Sequence, residues 1–380
     1  MKKAVQILIL FGMLSGASEA QETKSGAGRK DMYVFIVAAS ESGDPKQNSL
    51  KYADDDAALY YEFFKPVAKK ANIFTVFDGE SRGIFAEMAN EALPPRKDIV
   101  LSEFRKMREE IRANGDANSA LFIVLIGHGG IDEKGEGYLN LMGGRLARGE
   151  IKKEMIASAG DLVETTLIID TCNAYFLVKS RDEWKFHDTG ADLTEKFDEF
   201  LFNFERKNEF PILGLIVSTA GARETFEWEY LKAGVFSHVV RSGLHGGADI
   251  NQDKKVTYSE LRAFIASVTG GVKNEKAKIK YFIEAPSGYD DKVIVDLSAW
   301  EEKGADLLVL SKEGRYFLED NRGVRVFDLN AGSGAVFPLL LPKKLAYYLN
   351  LNGLETKINT PAGWEKGIDN LAFAESAAAK

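Results

Sequence analysis

The chain has 380 residues, 45% of them hydrophobic and 28% charged, with a formal net charge of -8. This is the composition of a globular protein, not of a disordered or membrane-embedded one, and the length suggests one large domain with a smaller one beside it. A net acidic chain with no basic stripe argues against nucleic acid as the main partner, while basic peptides are favoured electrostatically.

Residues 1–20 have the three regions of a secretory signal peptide: Lys2 and Lys3, an apolar stretch from Ala4 to about Gly16, and Ser18-Glu19-Ala20, with cleavage expected after Ala20. The apolar stretch is too short to span a bilayer, and no cysteine directly follows it to carry a lipid. The mature protein is therefore expected to be exported, periplasmic or secreted, with no membrane insertion once the signal is removed. A buried first helix is the alternative reading. After a polar linker, Gln21 to Lys30, apolar runs recur at Tyr33 to Ala39, Ile73 to Phe77, Leu121 to Ile126, Thr166 to Ile169 and Ile212 to Val217. They are nearly continuous in apolar residues, as strands buried on both faces of a parallel sheet are. Between them, Tyr52 to Ala68, Ile99 to Ile111 and Glu150 to Ala157 carry apolar residues at helical spacing. The pattern predicts an α/β fold, a three-layer α-β-α sandwich on a mostly parallel sheet.

Lys179 to Lys207 reads as a long inserted loop with one helix, Asp192 to Phe204. Beyond about Gly270 the chain turns to short runs: Lys278 to Ile283, Val293 to Leu297, Asp306 to Val309, Tyr316 to Leu318, Val324 to Asp328 and Leu345 to Leu351. These predict a small C-terminal β module, the first run being able to complete the main sheet instead. The expected organisation is a signal peptide over 1–20, a main domain over 31–298 and the β module over 299–365, with a disordered tail from Ala374 to Lys380.

The third and fourth runs end on residues with chemistry. The first closes on His128-Gly129, and the second, 44 residues later, closes on Asp170-Thr171-Cys172, which holds the only cysteine. In open α/β sheets, sites form beyond the carboxyl ends of strands. A thiol, a base within its reach and backbone N–H groups for a developing oxyanion are what nucleophilic acyl transfer requires. An unpaired thiol in an exported protein is itself a candidate reactive group, although a lone buried cysteine is also a common packing residue. No phosphate loop or dinucleotide glycine pattern stands at a strand-to-helix turn.

In these segments the sequence resembles the caspase-like cysteine peptidases, the group of caspases, metacaspases and legumains, and within it a bacterial exported member. The shared pattern is an apolar strand ending in His-Gly, then one ending in a polar or acidic residue, one residue, and Cys. The separation of 44 is close to the roughly 50 of caspases. Leu50-Lys51-Tyr52-Ala53-Asp54-Asp55-Asp56-Ala57 looks like the acidic start of the family's first helix, and Gly137 to Leu141 like the hairpin after the histidine. Ser218-Thr219-Ala220, Gly234-Val235-Phe236-Ser237 and Gly243 to Asp249 resemble the second half of the domain. The likeness covers about Met32 to Val268.

Carried over by position, the resemblance implies a cysteine endopeptidase with Cys172 as nucleophile and His128 as general acid/base. The backbone N–H groups of Gly129 and Cys172 would form the oxyanion hole. Asp170 stands where metacaspases carry a pocket aspartate, and Glu229 where caspases carry a pocket arginine. With Glu224 and Glu227 nearby, this implies an acidic pocket for lysine or arginine before the scissile bond; solvated loop carboxylates are the plainer reading. The chain departs from the family after the cysteine, where Asn173-Ala174-Tyr175 replaces the family's continuations; the dyad is untouched, and the shape of the adjacent pocket is what this affects. The alternatives are a catalytically inactive caspase-like scaffold or binding protein, and an exported α/β hydrolase of esters or amides.

Asp249, Asn251, Asp253 and Glu260 occupy positions 1, 3, 5 and 12 of a calcium loop, with Lys254 where its turn glycine belongs. Thr257 and Glu260 also form a capping box, the plainer reading. No cofactor is required by the expected chemistry, and Ca2+ is the one candidate ion, since many metacaspases are calcium-activated. His187, His238 and His245 lack metal-ligand spacing. The expected partner is a peptide or protein substrate; oligomeric state is not legible.

Overall fold

The computed structural model describes residues 31–41, 48–115, 119–157, 162–172, 177, 213–218, 227–270, 272, 278–286, 291–341, 346–359 and 373–375. The signal-peptide segment, the inserted loop with its helix, Glu224 and His187 lie outside the described residues, as does nearly all of the expected tail.

The chain runs through β1 (Met32–Ala39), α1 (Ala53–Phe64), β2 (Ala68–Phe74), α2 (Gly79–Ile84), α3 (Ala86–Glu91), α4 (Lys97–Asn114) and β3 (Ala120–Gly127). A small antiparallel sheet follows, β4 (Gly129–Ile131), β5 (Gly137–Leu141) and β6 (Gly144–Ala147), then α5 (Arg148–Glu150) and a π-helical turn over Ile151–Ala157. Next come β7 (Glu164–Thr171), β8 (Leu213–Ser218), the short hairpin β9 (Glu227–Trp228) and β10 (Ala233–Gly234), and α6 (Val235–Ser242), which continues into a wider turn, Gly243–Gly247. The remainder is β11 (Lys255–Thr257), α7 (Tyr258–Gly270), β12 (Tyr281–Glu284), β13 (Val293–Asp296), α8 (Ser298–Glu302) and seven C-terminal strands. Those are β14 (Asp306–Leu310), β15 (Gly314–Asp320), β16 (Arg325–Ala331), β17 (Phe337–Leu341), β18 (Ala346–Leu351), β19 (Leu354–Asn359) and β20 (Ala374–Glu375).

The main sheet has the order β12-β8-β7-β3-β1-β2, with all neighbours parallel except β12, which runs against β8. Alternate residues of each strand feed two separate cores. Val34, Ile36 and Ala38 face α1, α6 and α7, while Tyr33, Phe35 and Val37 face α4 and the Ile151–Ala157 turn. That is the layered sandwich expected, and continuous apolar runs are what two buried faces demand. At the edge, β2 pairs with β1 and, on its outer side, makes a single bridge from Phe74 to Leu93; it begins earlier than its apolar run, since Lys69 and Lys70 can reach solvent from an outer strand. The helix before it accordingly ends at Phe64. Among the described residues no helix is long and apolar enough to cross a membrane.

The first C-terminal run does complete the main sheet, as β12, and the second pairs as β13 with β11. The later strands form a pair, β14 with β17, and a sheet of order β16-β15-β18-β19-β20. They pack into the α1 and α6 core: Leu308, Tyr316, Leu318 and Phe327 share one buried cluster with Phe63, Phe64 and Val240. Trp300 Nε1 donates to the Phe63 carbonyl at 2.6 Å, and Arg322 makes a two-pronged pair with Glu62 at 2.7 and 2.8 Å. Gly246 lies against β17 of the C-terminal strands. Its φ is +111°, and a Cβ there would lie 1.7 Å from the Pro338 carbonyl oxygen. Gly246→Ala is therefore expected to destabilise the whole chain by at least about 3 kcal/mol, read as a fall in the urea midpoint.

Candidate active site

Strands β3 and β7 pair parallel in unbroken register up to Gly127 opposite Thr171. His128 and Cys172 are the next residue on each, so their backbones emerge side by side at the carboxyl edge of the sheet, about one strand spacing of 4.8 Å apart. Both are buried, at 2% and 5% exposure. The chain is turned away after the histidine by the small sheet: Asn140 N–H donates to the His128 carbonyl at 2.9 Å, and Gly129 lies opposite Leu139. Thr171 Oγ1 donates to the Cys172 carbonyl at 3.2 Å. A Cβ on Gly129 would stand 2.2 Å from that carbonyl oxygen and 2.8 Å from Thr171 Oγ1. Only glycine permits this approach, and it brings the main chains of Gly129 and Cys172, the two expected oxyanion donors, together.

Asp170 lies two residues before the cysteine, on the same face of β7 as Ile168. Ile168, two earlier again, packs into the core shared with α1 and α6. On that face Asp170 is buried at 4% exposure, its Oδ2 accepting the Ser237 N–H at 3.2 Å and the Ser237 hydroxyl at 2.7 Å. A second carboxylate meets it there. Asp56, in the first turn of α1, is 1% exposed; its Oδ2 accepts the Gly234 N–H at 2.7 Å and its Oδ1 accepts Arg241 Nη1 at 2.6 Å. Both acids converge on Gly234, where a Cβ would stand 2.9 Å from Asp56 Oδ2 and 3.1 Å from Asp170 Oδ2. The buried nest is thus two carboxylates and one guanidinium, closed by Tyr60, whose ring lies 5.4 Å from the Arg241 Cζ.

The two glutamates expected in the pocket are placed differently. Glu227 is near enough to raise Asp170's proton affinity, but its carboxylate is engaged by the backbone N–H groups of Lys51 and Tyr52, both at 2.8 Å, at the approach to α1. It ties the β9–β10 hairpin to that helix. Glu229 stands outside the nest: its side chain is 83% exposed and pairs with Lys51 Nζ at 3.2 Å. Sequence reasoning found Asp170 and missed Asp56, Ser237 and Arg241. The available signals were the Asp54-Asp55-Asp56 run and the four-residue spacing of Ser237 and Arg241, which places them on one face of α6.

Burial pushes Asp170 up to about 6 from the ordinary 3.8, against the pull of Ser237 and Arg241. It pushes Asp56 up to about 7, with Asp170 adding to the rise and Arg241 opposing it. Asp55 reaches about 8 through burial and the neighbouring charges of Asp54 and Asp56. Each of these acids binds its proton more tightly folded than unfolded. Between about pH 4 and pH 8 these three acids therefore hold more protons in the native state, and their contribution to stability falls as pH rises through that window. A thermal melt is expected to show a higher Tm at about pH 5.5 than at about pH 8.

The four residues spaced as a calcium loop do not gather around a common point. Asp249, fully buried, accepts the N–H groups of Asp253 at 3.2 Å and Lys254 at 2.9 Å, and Asn251 Oδ1 also takes Asp253 N–H. Glu260 accepts from Thr257 N–H at 3.0 Å and from its hydroxyl at 2.8 Å, while its own N–H returns to Thr257 Oγ1 at 3.2 Å. This is the acidic turn and capping box at the start of α7. Among the described residues no three His, Cys, Asp or Glu side chains are arranged to hold a metal ion. His238 and His245 are core residues, the first bonded to Asp328 at 2.9 Å and the second to the Leu340 carbonyl at 3.4 Å.

No protein-family model matches the chain, and no curated protein sequence matches it. The chain is similar to solved structures of a caspase. A structure of pro-sf-caspase-1 is 11% identical with a TM-score of 0.37, covering 68% of this chain and 88% of the other. The crystal structure of caspase-1 from Spodoptera frugiperda is 10% identical with a TM-score of 0.39, covering 69% and 91%.

Proposed function

We propose that the protein is a caspase-like cysteine endopeptidase acting through Cys172 and His128 on peptide bonds that follow lysine or arginine. The observation that carries this reading is the shared strand edge: the in-register ends of β3 and β7 set His128 beside Cys172, with Gly129 against the Cys172 main chain. The buried acids Asp170 and Asp56 meet on one face of the sheet, Asp170 two residues before the thiol in sequence. An anionic nest beside a nucleophile selects a cationic side chain for the residue whose carbonyl is attacked.

In this reading His128 takes the Cys172 proton, and the thiolate adds to the peptide carbonyl carbon. The carbonyl oxygen becomes an oxyanion received by the N–H groups of Gly129 and Cys172. Collapse breaks the C–N bond as His128 gives its proton to the leaving amine, producing a thioester. Water, deprotonated by the neutral imidazole, then adds to the thioester; the released carboxyl product and a reprotonated thiol complete the cycle. The signal-peptide pattern of residues 1–20 supports an activity outside the cytoplasm.

Digestion of a peptide library by purified protein and by Cys172→Ala, each with and without calcium, tests the proposal. Cuts after lysine or arginine that vanish in the variant are expected. No cuts in any arm would transfer the reading to a scaffold or binding protein built on the same fold.

A further inference from the structure

The acidic nest around Gly234 is uneven. Both oxygens of Asp56 are engaged, Oδ1 by Arg241 Nη1 at 2.6 Å and Oδ2 by Gly234 N–H at 2.7 Å. Asp170 has Oδ2 engaged twice by Ser237, whereas its Oδ1 is buried and has no hydrogen-bond partner among the described residues. Arg241 is equally one-sided: Nη1 holds Asp56, while Nε and Nη2 are buried and unpartnered among the described residues. Asp56 is thus neutralised from within the protein, and a single anionic oxygen is left for a ligand.

We infer that the pocket selects lysine over arginine at the position before the scissile bond, an inference that rests on the peptidase reading above. An ammonium is a compact charge that gains most of its binding from one short charge-assisted bond. A planar guanidinium draws its advantage from two parallel acceptors on one carboxylate, and here Ser237 already occupies the second. A second guanidinium in the nest would also face that of Arg241, with little solvent to screen the two. Lysine, one atom shorter, presents its charge before that repulsion develops.

The test uses the full-length mature protein and two fluorogenic peptides identical except for Lys or Arg before the cleaved bond. A kcat/KM ratio of about tenfold or more in favour of lysine is expected. Ser237→Ala, which removes the hydroxyl from Asp170 Oδ2, is expected to narrow that ratio by improving the arginine peptide. Equal or faster cleavage of the arginine peptide by the unmodified protein would overturn the inference and leave the peptidase reading standing. Turnover of neither peptide, with or without calcium, would overturn the peptidase reading and this inference with it.

Discussion

Cys172→Ala and His128→Ala are each expected to lower kcat for a lysyl peptide by about 10^4-fold or more, with no additional loss in the double variant. In the proposed mechanism the two residues act on one proton and one bond, so removing either removes the covalent route entirely. Both directly follow strand ends whose register is set by eight preceding pairs on β3 and β7. Their substitution should therefore leave urea unfolding within about 1 kcal/mol of the parent. A loss of activity that tracks a loss of folded protein would point to packing instead. Separate initial-rate and denaturation curves on the same preparations distinguish the two.

Arg241→Met is expected to destabilise the fold by about 3 to 5 kcal/mol, because it leaves Asp56 charged and buried without its partner. The ion pair is 2.6 Å long, and both side chains are no more than 2% exposed. The guanidinium is also what restrains the rise in Asp56's proton affinity. Without it that acid titrates at still higher pH, so the deficit should be larger at about pH 8 than at about pH 5, where Asp56 is neutral in the folded chain. Adding Asp56→Asn should restore a large part of the stability, since a neutral amide carries no charge to desolvate. Urea midpoints at both pH values measure all of this; a deficit independent of pH and unrelieved by Asp56→Asn would contradict it.

What was legible in the sequence follows from where the information is local. Strands β1, β3, β7 and β8 declared themselves because each is buried on both faces, and His128 and Cys172 stood out because they follow the ends of two such strands. β17 was not read: Phe337-Pro-Leu-Leu-Leu341 carries a proline that a paired strand seldom accepts, and only its contact with β14 shows it to be one. β19 was not read either, since Leu354-Glu-Thr-Lys-Ile-Asn359 mixes charges into its run. The calcium spacing was legible, and in the structure the same residues form a turn and a helix cap with the local backbone. Asp56 and Arg241 were beyond reach for a different reason. They lie 185 residues apart, and no pattern in the sequence joins them before α1 and α6 pack on the same face of the sheet.

The most direct test of the account is a mass measurement. The mature protein would be incubated with a peptidyl electrophile bearing lysine next to its reactive carbonyl, and the intact and digested masses recorded. The account predicts one adduct per chain on Cys172, lost in His128→Ala and reduced in Asp170→Asn. A folded protein whose Cys172 stays unmodified by that reagent would contradict it.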